Sequence, residues 1–206
     1  MSPLPEYMVN RWARRKTYAA GKGQLYWHML LSGNAQIDKL ISEAHQRISG
    51  ISGLDLTPHK YVHLTLLFCG PADEFTVEQT QVMASHATNA LGAIAPITLA
   101  FERVLYHPEA IAVEARPASQ LEPIIAALQE VTFSAAGRRG VMAQPWVPHV
   151  TVAYSAADGP AAPIIDALGK SLPETVATVG NVSLVFQEGS EDAWNWHELA
   201  SIQLGR

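Results

Sequence analysis

The chain has 206 residues, 48% hydrophobic and 16% charged, which is enough apolar material for one large domain or two small lobes and too much for a disordered chain. No apolar run reaches the roughly 18 residues of a membrane span, and the N-terminus MSPLPEYMVNRWARRKTYAAGKG is basic without the apolar stretch of a secretory signal, so a cytoplasmic protein with no membrane partner is expected. The net charge of −5 divides into +4 over residues 1–23 and −9 over the rest, and so acidic a body excludes a general binder of long nucleic acid while leaving small anionic ligands open.

The basic arm, 1–23, reads either as a solvated tail or as a flap that closes on phosphate. Residues 24–206 read as a single bilobal domain. QLYWHMLL, 24–31, lies between Gly23 and the turn-like Ser32-Gly33-Asn34 and reads as a strand. Ile37, Leu40, Ile41, Ala44 and Ile48 then follow helical spacing up to Gly50, a candidate C-cap. VHLTLLF, 62–68, is a second strand, 74–92 a second helix, and ITLAFERVLY, 97–106, a third strand. The only cysteine, Cys69, ends an apolar run and reads as a small buried hydrophobe in a reducing compartment, not as a nucleophile.

The order then begins again. AIAVEA, 110–115, is a strand, and Ser119 with Glu122 has the spacing of a capping box before a helix carrying Leu121, Ile124, Ile125 and Leu128. Those four lie 84 residues after Ile37, Leu40, Ile41 and Ala44. PHVTVAY, 148–154, repeats YVHLTLLF with an offset of 86, 161–169 is a short helix, and Val182, Leu184 and Phe186 lie 85 residues after Ile97, Leu99 and Phe101. A last strand, about 195–204, pairs back through the EGSED turn. The reading is α+β, an internal duplication with a first lobe motif at about 24–108 and a second at about 109–206, each a small sheet with helices on one face.

Residues two apart on a strand share a face, so His63 and Thr65 point one way while Val62, Leu64, Leu66 and Phe68 point into the core; His149 and Thr151 behave likewise over Val150 and Val152. If the lobes are related by a pseudo-two-fold axis, the two His/Thr faces look at each other across a cleft. His86-Ala87-Thr88 has the same letters in helical surroundings, where residues two apart do not share a face, and it reads as surface or packing.

In-line displacement at a phosphodiester needs a base on the attacking oxygen and an acid on the leaving oxygen. Histidine serves as either near neutrality, and each role is typically worth roughly 10² to 10⁴ in rate. The hydroxyls of Thr65 and Thr151 can donate to the non-bridging oxygens. Neither motif carries the three ligands of a catalytic zinc site, and no metal or other cofactor is expected.

The paired HLTL and HVTV motifs, with Trp146-Val147-Pro148 leading into the second, resemble the two-histidine (2H) phosphoesterase superfamily, in particular the bacterial 2'-5' RNA ligase and 2',3'-cyclic phosphodiesterase branch, over about residues 24–204. The resemblance implies a bilobal fold of two mainly antiparallel sheets with outer helices around a central groove. It also implies metal-independent opening of 2',3'-cyclic phosphates to 2'-phosphates, or reversible 2'-5' joining of RNA ends. It makes His63 and His149 the catalytic acid and base, without saying which is which, and Thr65 and Thr151 the phosphate donors. The partner implied is a nucleotide or RNA terminus with a cyclic phosphate; no obligatory protein partner is indicated. Members of the family often have arginine at the fifth residue after the second histidine, where this chain has Tyr154. The arm leading into Tyr26-Trp27-His28 is one place from which that charge can be replaced.

Around the four motif residues, Tyr61 reads as a nucleobase-stacking ring or a packing tyrosine, and Tyr26 and His28 as groove lining or satisfied core. Trp146 has core parity. Arg138 and Arg139, in the Gly137 to Gly140 turn, are either cations near the groove or a solvated turn. His45, His59, His107 and His197 show no partner spacing. Besides the enzyme, two readings stay open: a catalytically silent nucleotide-binding module, and a phosphoesterase acting on a non-RNA phosphodiester.

Overall fold

The computed structural model describes residues 4–15, 17–142 and 146–205, so Lys16 of the basic arm lies outside the described residues. The strands are β1 (Tyr7–Met8), β2 (Gly23–Leu30), β3 (Leu54–Leu56), β4 (His63–Pro71), β5 (Ile97–His107), β6 (Ala110–Arg116), β7 (His149–Ser155), β8 (Gly159–Pro160), β9 (Ser171–Val179), β10 (Asn181–Glu188) and β11 (Trp196–Gln203); the helices are α1 (Ala35–Ile48), α2 (Val77–Leu91), α3 (Glu122–Ala136) and α4 (Ala162–Leu168). Eight strands form the antiparallel order β11-β10-β2-β4-β7-β6-β5-β9, with β3 added on β7, and β1 pairs with β8 in a separate ribbon.

Two half-sheets, β11-β10-β2-β4 and β7-β6-β5-β9, meet at a single antiparallel register pair, Leu64 with Val150. The sequence repeats do not map onto these halves as contiguous blocks. β5 closes the first repeat yet pairs with β6 and β9 in the second half, while β10 and β11, from the end of the chain, lie beside β2. The helices are interlaced in the same way: α1 packs on β7, β9 and α4, and α3 packs on β4 and α2. The reason is edge satisfaction, because each two-stranded pair, β2–β4 or β6–β7, exposes an edge that the other repeat's next strand fills.

The expected apolar stripes form the core. Ile37, Leu40, Ile41, Ala44 and Ile48 of α1, Ile124, Ile125 and Leu128 of α3, and Leu121 just before it, are buried at 3% exposure or less. Each of these leucine and isoleucine side chains contributes about 1.5–3 kcal/mol by leaving water. Asn34 caps α1 by accepting from the Gln36 and Ile37 amides, and α1 ends at Ile48 with Ser49, not the expected Gly50, as its C-cap. The capping box expected at Ser119 and Glu122 does not form: Ser119 lies in a 3-10 turn and α3 starts at Glu122, with a proline in its first turn. The reciprocal box is at Thr76 and Gln79, opening α2.

Four strands have no counterpart in the sequence reading. β1, β3 and β8 are two or three residues long, too short for periodicity to register. β9 carries Pro173 and an irregular burial pattern, as an edge strand tolerates.

The core holds a buried polar relay. Trp27 Nε1–H donates to Thr132 Oγ1 at 3.2 Å, and Thr132 Oγ1–H donates to Leu128 O at 2.7 Å. Trp27 and Thr132 are both fully buried. Thr132→Val keeps the shape but strands the indole N–H, so urea unfolding is expected to show a loss of about 1–3 kcal/mol; an unchanged midpoint would show that the relay adds nothing.

Candidate active site

β4 is interrupted at two places, Cys69 and Leu66, and β7 at one, and the β7 interruption falls at the same place in the repeat as the one at Leu66. Opposite β2, Trp27 pairs with Leu67 and His28 with Thr65, so Leu66 is the extra residue of a bulge; opposite β6, Ile111 pairs with Ala153 and Ala112 with Thr151, so Val152 is the extra residue. Leu66 and Val152 are 86 residues apart. Each bulge reverses the parity that follows it. Leu67 and Ala153 therefore turn into the core, fully buried, and Phe68 and Tyr154 come round to the face that carries the histidines. The sequence expectation that Phe68 points into the core is corrected accordingly: it is half-buried, 5.2 Å from the Tyr26 ring.

The junction pair Leu64–Val150 is antiparallel, which sets His63 opposite Thr151 and Thr65 opposite His149. All four line one cleft of about 520 Å³. Each imidazole is oriented identically: Nδ1 lies 2.7 Å from the carbonyl two residues earlier, Tyr61 O for His63 and Val147 O for His149. A carbonyl only accepts, so Nδ1 carries the proton and Nε2 is left for a ligand.

The two histidines differ in surroundings. The ring of His63 is 4.4 Å from that of His28 and 4.5 Å from that of Trp196. Burial lowers the His63 pKa from 6.5 to about 4, against the bond to Tyr61 O and helped by the proximity of His149. His149 is exposed. Burial also holds His28 well below the usual imidazole range, with His63 adding to the effect, and its Nδ1 has no hydrogen-bond partner among the described residues. No group of three His, Cys, Asp or Glu placed to hold a metal ion occurs among the described residues.

Of the surrounding residues read from sequence, Tyr26, His28 and Tyr154 line the cleft. Tyr61 stands behind it, stacked on Trp194 at 5.4 Å. Arg138 and Arg139 are not brought to the cleft: Arg138 pairs with Glu74 and sits over the Phe75 ring, and Arg139 pairs with Glu130 and sits over Phe133. Trp146, given core parity by its spacing, packs partly buried against the core and also lines the cleft from the segment before β7. Cys69 is buried, its thiol pushed up to about 12, and stays protonated.

Several lining residues were missed. Trp194 and Trp196 flank Asn195 at the start of β11, a pair of large aromatics beside a turn that was a legible signal; Ala110, Ala112, Leu105 and His107 carry none. Trp194 has φ 50, rare for a bulky residue, and its ring contacts Tyr61 and Tyr154.

Arg11 is a further lining residue that the sequence reading did not single out. It is the one arginine or lysine lining the cleft among the described residues, and its guanidinium lies 4.5 Å over the Tyr154 ring. It donates to Glu191 at 2.5 Å and to Glu109 at 3.4 Å, and Arg15 reaches the same two carboxylates. The arm is fixed by main-chain bonds, Val9 N to Pro108 O and Arg11 N to Ser155 O, and by β1–β8 pairing. This part of the arm is therefore docked across the rim rather than solvated.

The depressed pKa values of His63 and His28 have a consequence for stability. Between about pH 6.5 and about 4 the unfolded chain binds protons that the folded chain refuses, so stability falls as pH is lowered through that window. Thermal unfolding of His28→Phe, which keeps a ring between Tyr26 and Trp196, is expected to lose less of its midpoint than wild type between pH 7 and 4.5. Parallel curves would show that burial of His28 is not the source.

The sequence profile described as the 2'-5' RNA ligase superfamily matches residues 37–191. No curated protein matches in sequence. In structure the chain is similar to E. coli LigT complexed with 3'-AMP, at 14% identity and a TM-score of 0.65 over 91% of this chain and 100% of that one. It is also similar to TT0787 of Thermus thermophilus, at 20% identity and 0.60 over 88% and 98%, and to the MHV ns2 PDE domain, at 13% and 0.55 over 80% and 99%. With a profile covering most of the repeat, the two motifs facing each other across one junction, and a fold shared along nearly the full length of those structures, the chain belongs to the 2'-5' RNA ligase superfamily of 2H phosphoesterases.

Proposed function

We propose that the protein is a phosphodiesterase that opens 2',3'-cyclic phosphates to 2'-phosphates by paired histidine acid–base catalysis. The observation that carries this reading is the identical anchoring of His63 and His149, each by a 2.7 Å bond from Nδ1 to the carbonyl two residues back, on the two strands that meet at the centre of the sheet. Two imidazoles presenting Nε2 to one cleft can take a proton from the nucleophile and give one to the leaving oxygen. Thr65 and Thr151, each across the junction from a histidine, supply hydroxyl donors for the non-bridging oxygens, where charge grows in the transition state. Both proton transfers fall to protein groups, so a metal ion has no assigned part.

E. coli LigT, similar in fold, has been crystallised with 3'-AMP, ATP, NADP+ and phosphate, which favours a nucleotide-sized ligand here too. A soluble nucleotide or RNA terminus and one buried free cysteine both suit the cytoplasm.

The test is turnover of the four nucleoside 2',3'-cyclic monophosphates in excess EDTA. Wild type is expected to yield the 2'-phosphate, and His63→Ala and His149→Ala are each expected to lose roughly 10² to 10⁴ in kcat. Thr65→Val and Thr151→Val should lose about 10-fold or more each. Turnover abolished by EDTA, or retained in either histidine variant, would overturn the mechanism; nucleotide binding without turnover would make this a binding module.

A further inference from the structure

The bulges at Leu66 and Val152 are braced by different means. On β4, Phe68 exchanges two main-chain bonds with Val141: Phe68 N–H donates to Val141 O at 2.9 Å, and Val141 N–H donates to Phe68 O at 2.8 Å. On β7, Val152 is fully buried and has no partner on β6, where Ile111 pairs with Ala153 and Ala112 with Thr151. Its carbonyl is engaged from elsewhere. Thr57 N–H, just past the β3–β7 pairing, donates to it at 3.0 Å, and Nε2 of His45 on α1 lies 2.9 Å from it.

A carbonyl only accepts, so His45 Nε2 carries the proton, and the two donors fill both lone pairs of Val152 O. Burial lowers the His45 pKa, against the bond to Val152 O and helped by His59, so the neutral ring is the donor at neutral pH. The ring is held in place. It stands edge-on to His59 at 5.7 Å, and His59 is tied to α1 by Asp38 at 3.3 Å and Ser42 at 3.4 Å. α1 itself packs on β7, with Ile41, Ala44 and Ile48 buried, so the donor rides on a fixed element.

The bulge has a competitor. A regular β6–β7 ladder would shift the register by one on one side of Val152 and turn either Thr151 or Tyr154 from the cleft into the core. Building on the phosphodiesterase reading, we propose that His45 is a positioning residue for the reaction: from behind the sheet it holds Val152 O in the bulged conformation and so keeps Thr151 aimed at the phosphate. His45 does not line the cleft, and it acts through the main chain of β7. With the imidazole gone, Val152 O keeps a single donor in the interior, and the bulge loses its advantage over the regular register. Thr151 is the residue that suffers, because its hydroxyl sits one peptide away from that carbonyl.

His45→Leu and His45→Ala remove the donor, and His45→Gln restores one at similar reach, each variant being checked for a native thermal transition. On adenosine 2',3'-cyclic phosphate, kcat is expected to fall about tenfold to a hundredfold in the leucine and alanine variants with KM within about threefold, while the glutamine variant stays within about threefold of wild type in both. Amide exchange over residues 150–155, followed by mass spectrometry and independent of turnover, is expected to quicken about tenfold or more in His45→Leu and His45→Ala but not in His45→Gln, with 63–71 unchanged. Wild-type kcat without the donor, a loss carried by KM, or an equal loss in His45→Gln overturns the positioning role. Unchanged exchange in His45→Leu and His45→Ala overturns the anchoring of the bulge. A wild type that turns over no cyclic phosphate overturns the phosphodiesterase reading and the positioning role with it, and exchange then decides the anchoring alone.

Discussion

Everything in the cleft depends on β4 and β7 meeting edge to edge through one register pair, Leu64 and Val150. An antiparallel junction has a local two-fold axis, so a motif written twice is presented as its own mirror in role: each histidine faces the other copy's threonine. A parallel junction of the same strands would set histidine beside histidine. One pair of residues is a slender seam, and it holds because the strands and helices on either side are exchanged between repeats. β5 and α1 bind the first repeat to the second half, and β10, β11 and α3 bind the second repeat to the first half. Pulling the halves apart would break these non-local pairings along with the seam.

The paired bulges at Leu66 and Val152 extend the site beyond the four motif residues. Without them, strand alternation would bury Phe68 and Tyr154 and leave the cleft floor short. With them, one strand delivers a histidine, a threonine and an aromatic ring to the same face in six residues. Because the bulge recurs at the same repeat position, it belongs to the duplicated scaffold and not to one half of the cleft.

What distinguishes this protein is how the copies diverged around that scaffold. One side was filled with stacked rings, Tyr26, His28, His63 and Trp196, and the other was emptied to alanine. Positive charge comes from outside the repeat, since Tyr154 cannot carry it and Arg11 is laid over that ring by the N-terminal arm. The same arginine holds Glu191 in the loop before Trp194, whose left-handed backbone costs of order 1–3 kcal/mol and is held by stacking against Tyr61 and Tyr154. The rim of the cleft is therefore one connected body of arm, loop and aromatic rings.

The sequence by itself determined the α+β class, the duplication, the buried faces of α1 and α3, and the pair of His/Thr motifs. These are local properties: periodicity and repeat spacing depend on side chains a few positions apart, and two strands long enough to alternate declare their faces. Tertiary structure alone decided the rest. Which repeat each strand joins depends on which edge is open, a property of two distant segments at once. The bulges depend on partner register, invisible in β4 or β7 alone, and so parity reasoning misplaced Phe68. Arg138 and Arg139 found carboxylates on nearby helices and turns before they could reach the cleft, while Arg11, about 140 residues from His149, was carried to it by backbone pairing along β7 and β8. Spacing along a chain cannot report such a meeting, because it is set by the fold's closure and not by any neighbour in sequence.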